Sequence, residues 1–357
     1  MIRSTTVCAL ALLCQVSSVL PADEYVTTRR IGKIVGGTHA WDVDAGIPIF
    51  NNGFMGVTGA DLGPMCLYQG RLWFNLGDTW IAGQPWSPAA NFIVAYSSDV
   101  VLDDGVVLQG YLNSSTFPAT ALSPRPTYTI PNAMFTVNGT GSAGMFAQYM
   151  EVNEVSGHDH HIYNSWLAKY DEQAAIFRPY KTTVYRWTGQ GAPSVHFHFG
   201  MASFWVDRGD GYVYMVGSPS GRFGGVKLAR TPIAEFLNPE GTVPWTYFLG
   251  NDQWSAPTMD EAVIQAAPWL IAPKDPAWSL AKNYDNVPWN EQGPLITIAE
   301  FSIVHNPFLG KFLLITGRPC PAATGGGTWF YAADRITGPW SSDNLLMANR
   351  TDGGHEW

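Results

Sequence analysis

Short apolar runs alternate with Gly, Pro, Asn and Asp along the whole chain, and each run is the length of a strand. Residues 65–68 and 71–76 flank Gln69-Gly70, which predicts a two-residue hairpin turn. A further strand is expected over 91–97. A second group covers 133–137, 144–152 and 162–169. A third covers 195–206, 211–217 and 225–230. A fourth covers 295–304, 311–316 and 328–334. Each group holds three or four strands, and the groups recur every ~60–80 residues, which implies an all-β chain folded as a β-propeller. Helix is scarce, with short candidates at 232–237 and 259–267. No stretch reads as an interdomain linker or a charged tail.

Composition agrees with that pattern. Charged residues are 14% of the chain, against about 25% in an average soluble domain. The 37 Gly and 25 Pro supply turns, and 15 Trp, 15 Tyr and 18 Phe supply a large aromatic core. A net charge of -9 argues against a nucleic-acid backbone or an anionic membrane as partner. Residues 1–22 read as a secretory signal peptide, with Arg3 ahead of a short apolar stretch at 7–13 that cannot span a bilayer. The expected product is secreted and extracellular, with residues 23–357 forming a single domain that acts as a monomer. Cys8 and Cys14 leave with the signal. Cys66 and Cys320 remain, as a disulfide or as two buried thiols. Glycosylation sequons begin at Asn113, Asn138 and Asn349.

Several motifs carry less than they suggest. Arg29-Arg30 followed by Ile34-Val35-Gly36-Gly37 imitates a processed serine-protease N-terminus, but no Gly-Asp-Ser-Gly-Gly or Gly-x-Ser-x-Gly nucleophile motif exists. Gly325-Gly326-Gly327 is followed by no P-loop lysine. His158-Asp159-His160-His161, with His196 and His198, is the densest potential metal cluster. A solvated loop and a pair of pocket or core histidines account for it more readily, so neither a metal site nor an organic cofactor is expected.

The carboxylates are more pointed. Pairing carried outward from the Gln69-Gly70 turn sets Asp61 opposite Asp78, with Cβ atoms about 4.5–5.5 Å apart. Two like charges placed so destabilise a sheet. They suit catalysis, because proximity separates their pKa values into an acid and a base. A bulge at Pro64 is the alternative, and it would set the two acids apart. Trp80, Trp86 and Trp166 are candidate sugar platforms, with core packing as the plainer role. Glu300 is an acid inside an apolar strand, where a charge is normally paired or functional.

Gly59-Ala60-Asp61-Leu62-Gly63, followed by Leu72-Trp73-Phe74-Asn75-Leu76-Gly77-Asp78-Thr79-Trp80, resembles the opening blade of the family known as domain of unknown function 4185. Ala60 stands where that family has Thr, and Leu76 where it has Phe; both acids are kept. Residues 211–230, the strand around Glu300, and Gly338-Pro339-Trp340-Ser341 resemble its later blades in order. The resemblance implies a five-bladed propeller. It also implies an activity like that of the endo-D-arabinanases of glycoside hydrolase family 183, which act on mycobacterial-type arabinan. Asp61 and Asp78 would be the catalytic pair on a polysaccharide substrate. Trp80, Asn164, Trp166, Arg222, Glu300 and Arg318 are candidate substrate contacts. The chain stops at Trp357, soon after the fourth strand group. The fifth blade is therefore expected to be completed by residues before Phe54 or to be incomplete in this chain. Competing readings are a non-catalytic carbohydrate-binding propeller and a hydrolase using a metal held by His158, His160 and His161.

Overall fold

The computed structural model describes residues 33–36, 49–52, 57–61, 63–81, 92–99, 101, 105–112, 128–138, 144–155, 158–180, 185–186, 198–219, 222–238, 241–279, 293–318 and 327–348. The expected signal peptide, Trp86, Asn113, His196, Cys320 and Asn349 lie outside them.

The fold is an all-β propeller. Among the described residues it has four blade-like antiparallel sheets, not the five expected. The first is β3 (Val57–Asp61), β4 (Met65–Tyr68), β5 (Arg71–Ile81), β6 (Phe92–Ser97) and β7 (Gly110–Leu112). The second is β8 (Tyr128–Val137), β9 (Gly144–Val155), β10 (His158–Asp171), β11 (Ile176–Pro179) and β12 (Tyr185–Arg186). The third is β13 (Met201–Asp207), β14 (Tyr212–Ser218), β15 (Lys227–Pro232), β16 (Thr246–Gly250) and β17 (Gln253–Trp254). The fourth is β18 (Phe301–Asn306), β19 (Lys311–Arg318), β20 (Gly327–Ala333) and β21 (Asn344–Ala348). Ahead of Phe54, β1 (Lys33–Gly36) and β2 (Ile49–Asn52) form a two-stranded parallel pair. Parallel strands need a crossover connection and cannot be hairpin-built, so this pair does not supply a fifth antiparallel blade. The helices are α1 (Ile233–Leu237) and α2 (Glu261–Ala266), where the sequence expected them.

Local chemistry explains the hairpins. Gln69 and Gly70 adopt φ of 50° and 73°, the left-handed pair that a two-residue turn matched to strand twist requires. The β4–β5 pairing then runs Tyr68 opposite Arg71 back to Met65 opposite Phe74. In the third blade, Asp207 Oδ1 accepts from Gly209 N at 2.8 Å and Asp210 Oδ1 from Tyr212 N at 3.0 Å, while Gly211 takes φ 81°.

The inner strands β4, β8, β13 and β18 lie side by side in chain order. Buried hydrogen bonds join neighbouring blades. Asn75 Nδ2 donates to the Tyr149 hydroxyl at 2.8 Å, Ala202 N to Gln148 Oε1 at 2.9 Å, and Ile303 N to Ser203 Oγ at 3.0 Å. Aromatic rings fill the space between. Phe135 stacks on Phe204 at 4.3 Å, and Phe146 and Phe236 pack beside them. Such pairs add roughly 0.5–1.5 kcal/mol each beyond the area they bury. Cys66 belongs to this interior, as a buried free thiol whose desolvation pushes its pKa far up and makes it a poor nucleophile.

Candidate functional site

Residues of three blades line an open cleft of about 210 Å³. The first blade contributes Gly63 and Pro64, between β3 and β4. The second contributes Asn132 from β8. The fourth contributes Glu300 to Ser302, Ile315 to Gly317, and Thr328.

Glu300 is half-buried and held from a distance in sequence. Arg222 donates to its Oε1 from Nε at 3.2 Å and from a terminal nitrogen at 2.6 Å. Arg222 itself sits at φ 62°, and its carbonyl accepts from Thr297 N at 3.0 Å and Ile298 N at 3.3 Å. Thr297 Oγ1 closes the stitch by donating to Phe223 O at 3.2 Å. A side chain at positive φ is strained, and this backbone is held by the strand entry that carries Glu300. Arg222 and Glu300, separate candidates in the sequence, therefore form one charge-balanced unit.

Asp61 and Asp78 enter by backbone position. The pairing expected from the turn does not reach them unbroken. Gly59 does lie opposite Trp80, but Asp61 lies opposite Gly77, not Asp78. The register slips by one residue across Leu62-Gly63-Pro64 and slips back at Asp78-Thr79. Proline has no N–H for the ladder, so the slip falls where the bulge alternative put it. Thr79 Oγ1 donates to Leu76 O at 3.1 Å inside the second irregularity, and Asn75 N donates to Pro64 O at 3.0 Å across the first. Positions 61 and 78 remain neighbours across β3 and β5, beside the two residues that line the cleft.

The other candidates separate. Trp80 lies opposite Gly59 on β5, and Arg318 directly follows the cleft-lining Gly317. Asn164 and Trp166 lie on β10, two strands out from β8, so the fold does not bring them to the cleft. Trp166 is only 4% exposed and packs on Tyr149 at 5.4 Å, which makes it a core residue and not a sugar platform. His198 is likewise a core histidine. It is buried against Trp269 at 5.1 Å and Trp278 at 5.9 Å, and burial with the nearby Lys227 charge brings its pKa down to about 3. The His158 to His161 segment forms the start of β10. Among the described residues no group of three or more His, Cys, Asp or Glu gathers to hold a metal.

Asn132 was not singled out in the sequence. The signal available was Pro131-Asn132 inside an apolar strand, since proline within a strand marks an edge or a bulge. Asn132 is the extra residue there, between Pro131 opposite Tyr149 and Ala133 opposite Gln148.

Residues 51–354 match the family described as Domain of unknown function (DUF4185), and the chain belongs to that family. No curated protein sequence matches it. Among solved structures, an exo-beta-1,3-galactanase from Phanerochaete chrysosporium shares 13% identity at a TM-score of 0.43, covering 82% of this chain and 51% of that one. An alpha-L-arabinofuranosidase from Podospora anserina shares 13% at 0.39, covering 91% and 74%. An endo-1,5-alpha-L-arabinanase from Thermotoga petrophila shares 11% at 0.40, covering 79% and 53%. The chain spans about half the length of the galactanase it matches.

Proposed function

We propose that the protein is a secreted glycoside hydrolase that cleaves arabinofuranosyl linkages of an arabinan-type polysaccharide, in the manner of the endo-D-arabinanases of glycoside hydrolase family 183. The observation that carries this reading is the neighbouring backbone positions of Asp61 and Asp78, next to the cleft-lining Gly63 and Pro64, within motifs that keep both acids of the family pattern. One aspartate acts as general acid and the other as base or nucleophile on the glycosidic bond. Their carboxyl separation sets the outcome: about 5–5.5 Å favours retention, and about 6.5–9.5 Å admits a water and favours inversion. Glu300, held by Arg222, orients polar groups of the substrate in the cleft. Trp80 and Arg318 contact the glycan. The polysaccharide is the partner, met outside the cell.

The register slip favours a second reading, a non-catalytic carbohydrate-binding propeller. Asp61 opposite Gly77 removes the directly opposed like charges that argued most strongly for catalysis. Incubation of the purified protein with arabinogalactan, lipoarabinomannan and plant L-arabinan, followed by analysis of the released sugars, separates the two. Release of arabino-oligosaccharides is expected. Retention of a glycan without product supports the binding module, and neither retention nor product removes both readings.

A further inference from the structure

Alternation along the fourth blade decides which side chains the cleft receives. Phe301 and Ile303 are 4% and 6% exposed and belong to the apolar core, so Ser302 between them points to the opposite face of the sheet. Ser302 is exposed and lines the cleft. Glu300, two residues back, falls on the same face. Its side chain is 26% exposed, and it too lines the cleft. Pairing carries that face across the sheet. Ser302 lies opposite Ile315, Gly317 N donates to Glu300 O at 3.4 Å, and Gly317 lies opposite Thr328. Directly opposed residues share a face, and Ile315, Gly317 and Thr328 all line the cleft. One wall of the cleft is therefore a patch of three strands, with an acid and two hydroxyls set around Gly317.

Gly317 is the member that needs a reason. It lies within β19 and is not at positive φ, so no turn requires it. Glycine inside a strand weakens the strand and often marks the close approach of a ligand or of another backbone. Gly217 in the third blade is of the second kind, since a Cβ there would lie 2.0 Å from a Phe199 ring carbon. At Gly317 a Cβ would meet nothing within 4 Å among the described residues, and the residue is exposed. From Glu300 across Gly317 to Thr328 is two strand spacings, roughly 9–10 Å, room for one sugar ring with its hydroxyls. Arg222 balances the Glu300 charge, so the patch suits a neutral ligand. Carboxylate and hydroxyl oxygens both accept from ring hydroxyls, and the bond to the ionised group is the stronger.

We propose that this wall is a subsite for one neutral sugar ring, which lies against the bare backbone of Gly317 while Glu300 and Ser302 hydrogen-bond its hydroxyls. Gly317 is then the specificity-determining residue, because a side chain there would occupy the place of the ring. The proposal rests on the glycan reading above and adds the wall on which the glycan lies.

The test measures the affinity of the chain with both aspartates intact for arabinogalactan, lipoarabinomannan and plant L-arabinan. Affinity is read as retardation in native gels containing each glycan or, where the glycan is degraded, as the KM of sugar release. Gly317→Val puts a side chain that strands favour into the open space. It is expected to weaken affinity by about tenfold or more, with the denaturation midpoint unchanged. Ser302→Ala removes an exposed hydroxyl and is expected to weaken affinity about two- to tenfold, the worth of one hydrogen bond. Near-UV circular dichroism checks that each variant folds. A folded Gly317→Val protein with unchanged affinity overturns the subsite, while sugar release by the unsubstituted chain leaves the hydrolase reading standing. If Gly317→Val does not fold, Ser302→Ala decides, and unchanged affinity there overturns the subsite. Neither retardation nor sugar release with the unsubstituted chain overturns the subsite and the hydrolase reading together.

Discussion

The β13–β14 and β14–β15 ladders of the third blade pair without a break, whereas the pairing of β5 with β4 and β3 in the first blade shifts register three times. In the third, Met201 through Asp207 oppose Ser218 through Tyr212 residue by residue, and nearly every side chain of β14 is buried. In the first, β3 and β5 lose and recover register around Pro64 and Asp78. The two blades share architecture and differ in what the interruption achieves. Regular pairing satisfies every ladder group and packs rings on both faces, which gives rigidity and no opening. The irregular stretch sets the backbone of position 61 just ahead of the cleft-lining Gly63 and Pro64. Inter-blade bonds such as Asn75 Nδ2 to the Tyr149 hydroxyl hold the irregular blade against its regular neighbours.

The sharpest way to break this comparison is at the acids. Asp61→Asn and Asp78→Asn are each expected to lower turnover by about 10²-fold or more, the scale of lost general acid–base catalysis, with thermal unfolding almost unchanged. A variant keeping more than about a tenth of wild-type turnover on the degraded arabinan is not the acid or base, and Glu300 is tested next. The pH–rate profile is expected to be bell-shaped, its limbs belonging to the pair.

Glycine replacements test the same contrast through packing. A Cβ on Gly217, in the regular blade, would lie 2.0 Å from a Phe199 ring carbon and 2.8 Å from His198 O. Gly217→Ala is expected to cost about 1–3 kcal/mol or more. Among the described residues a Cβ on Gly63, at the slip, would meet Leu76 alone, at 3.7 Å, so Gly63→Ala is expected to leave stability within about 0.5 kcal/mol. Chemical denaturation of both variants checks the difference, and equal losses would erase it.

A third contrast is electrostatic. His198 lies under Trp269 and Trp278 with Lys227 as the charged group nearby, and its folded pKa of about 3 stands below the unfolded value near 6.5. The unfolded chain takes up a proton in that window and the folded chain does not. Stability from this site is therefore present above about pH 6.5 and declines as pH falls towards 3, by about 1.4 kcal/mol per unit. Unfolding free energies measured across that range in wild type and His198→Gln are expected to diverge, with the variant showing the shallower slope. The smallest effect is expected at the exposed Arg335–Asp252 pair on the outer surface, where Arg335→Ala should change stability by less than about 1 kcal/mol.

The strand-sized runs, the Gln69-Gly70 turn and the two short helices were legible because they depend on neighbours within a few residues. The β4–β5 pairing followed from the turn, since a two-residue loop dictates register as far as the ladder is continuous. Pro64 ended that reach, and the pairing of Asp61 with Gly77 depended on how the chain resumed beyond it. Trp166 shows the same limit from another side. Its type suits a sugar face or a core equally, and only its place on the third strand of the second blade made it core.

The sequence by itself determined an all-β chain of recurring antiparallel units, the acids retained within its opening motif, and Glu300 as a charge in an apolar strand that needed a partner. The tertiary structure alone decided that this partner is Arg222, 78 residues away, that the described residues form four blades and a parallel pair where five blades were expected, and that Asn132 lines the cleft from the β8 bulge. The reason is physical. Alternation and turn chemistry act between residues close along the chain. Charge pairing, blade packing and the satisfaction of buried polar groups act between residues that only folding brings together.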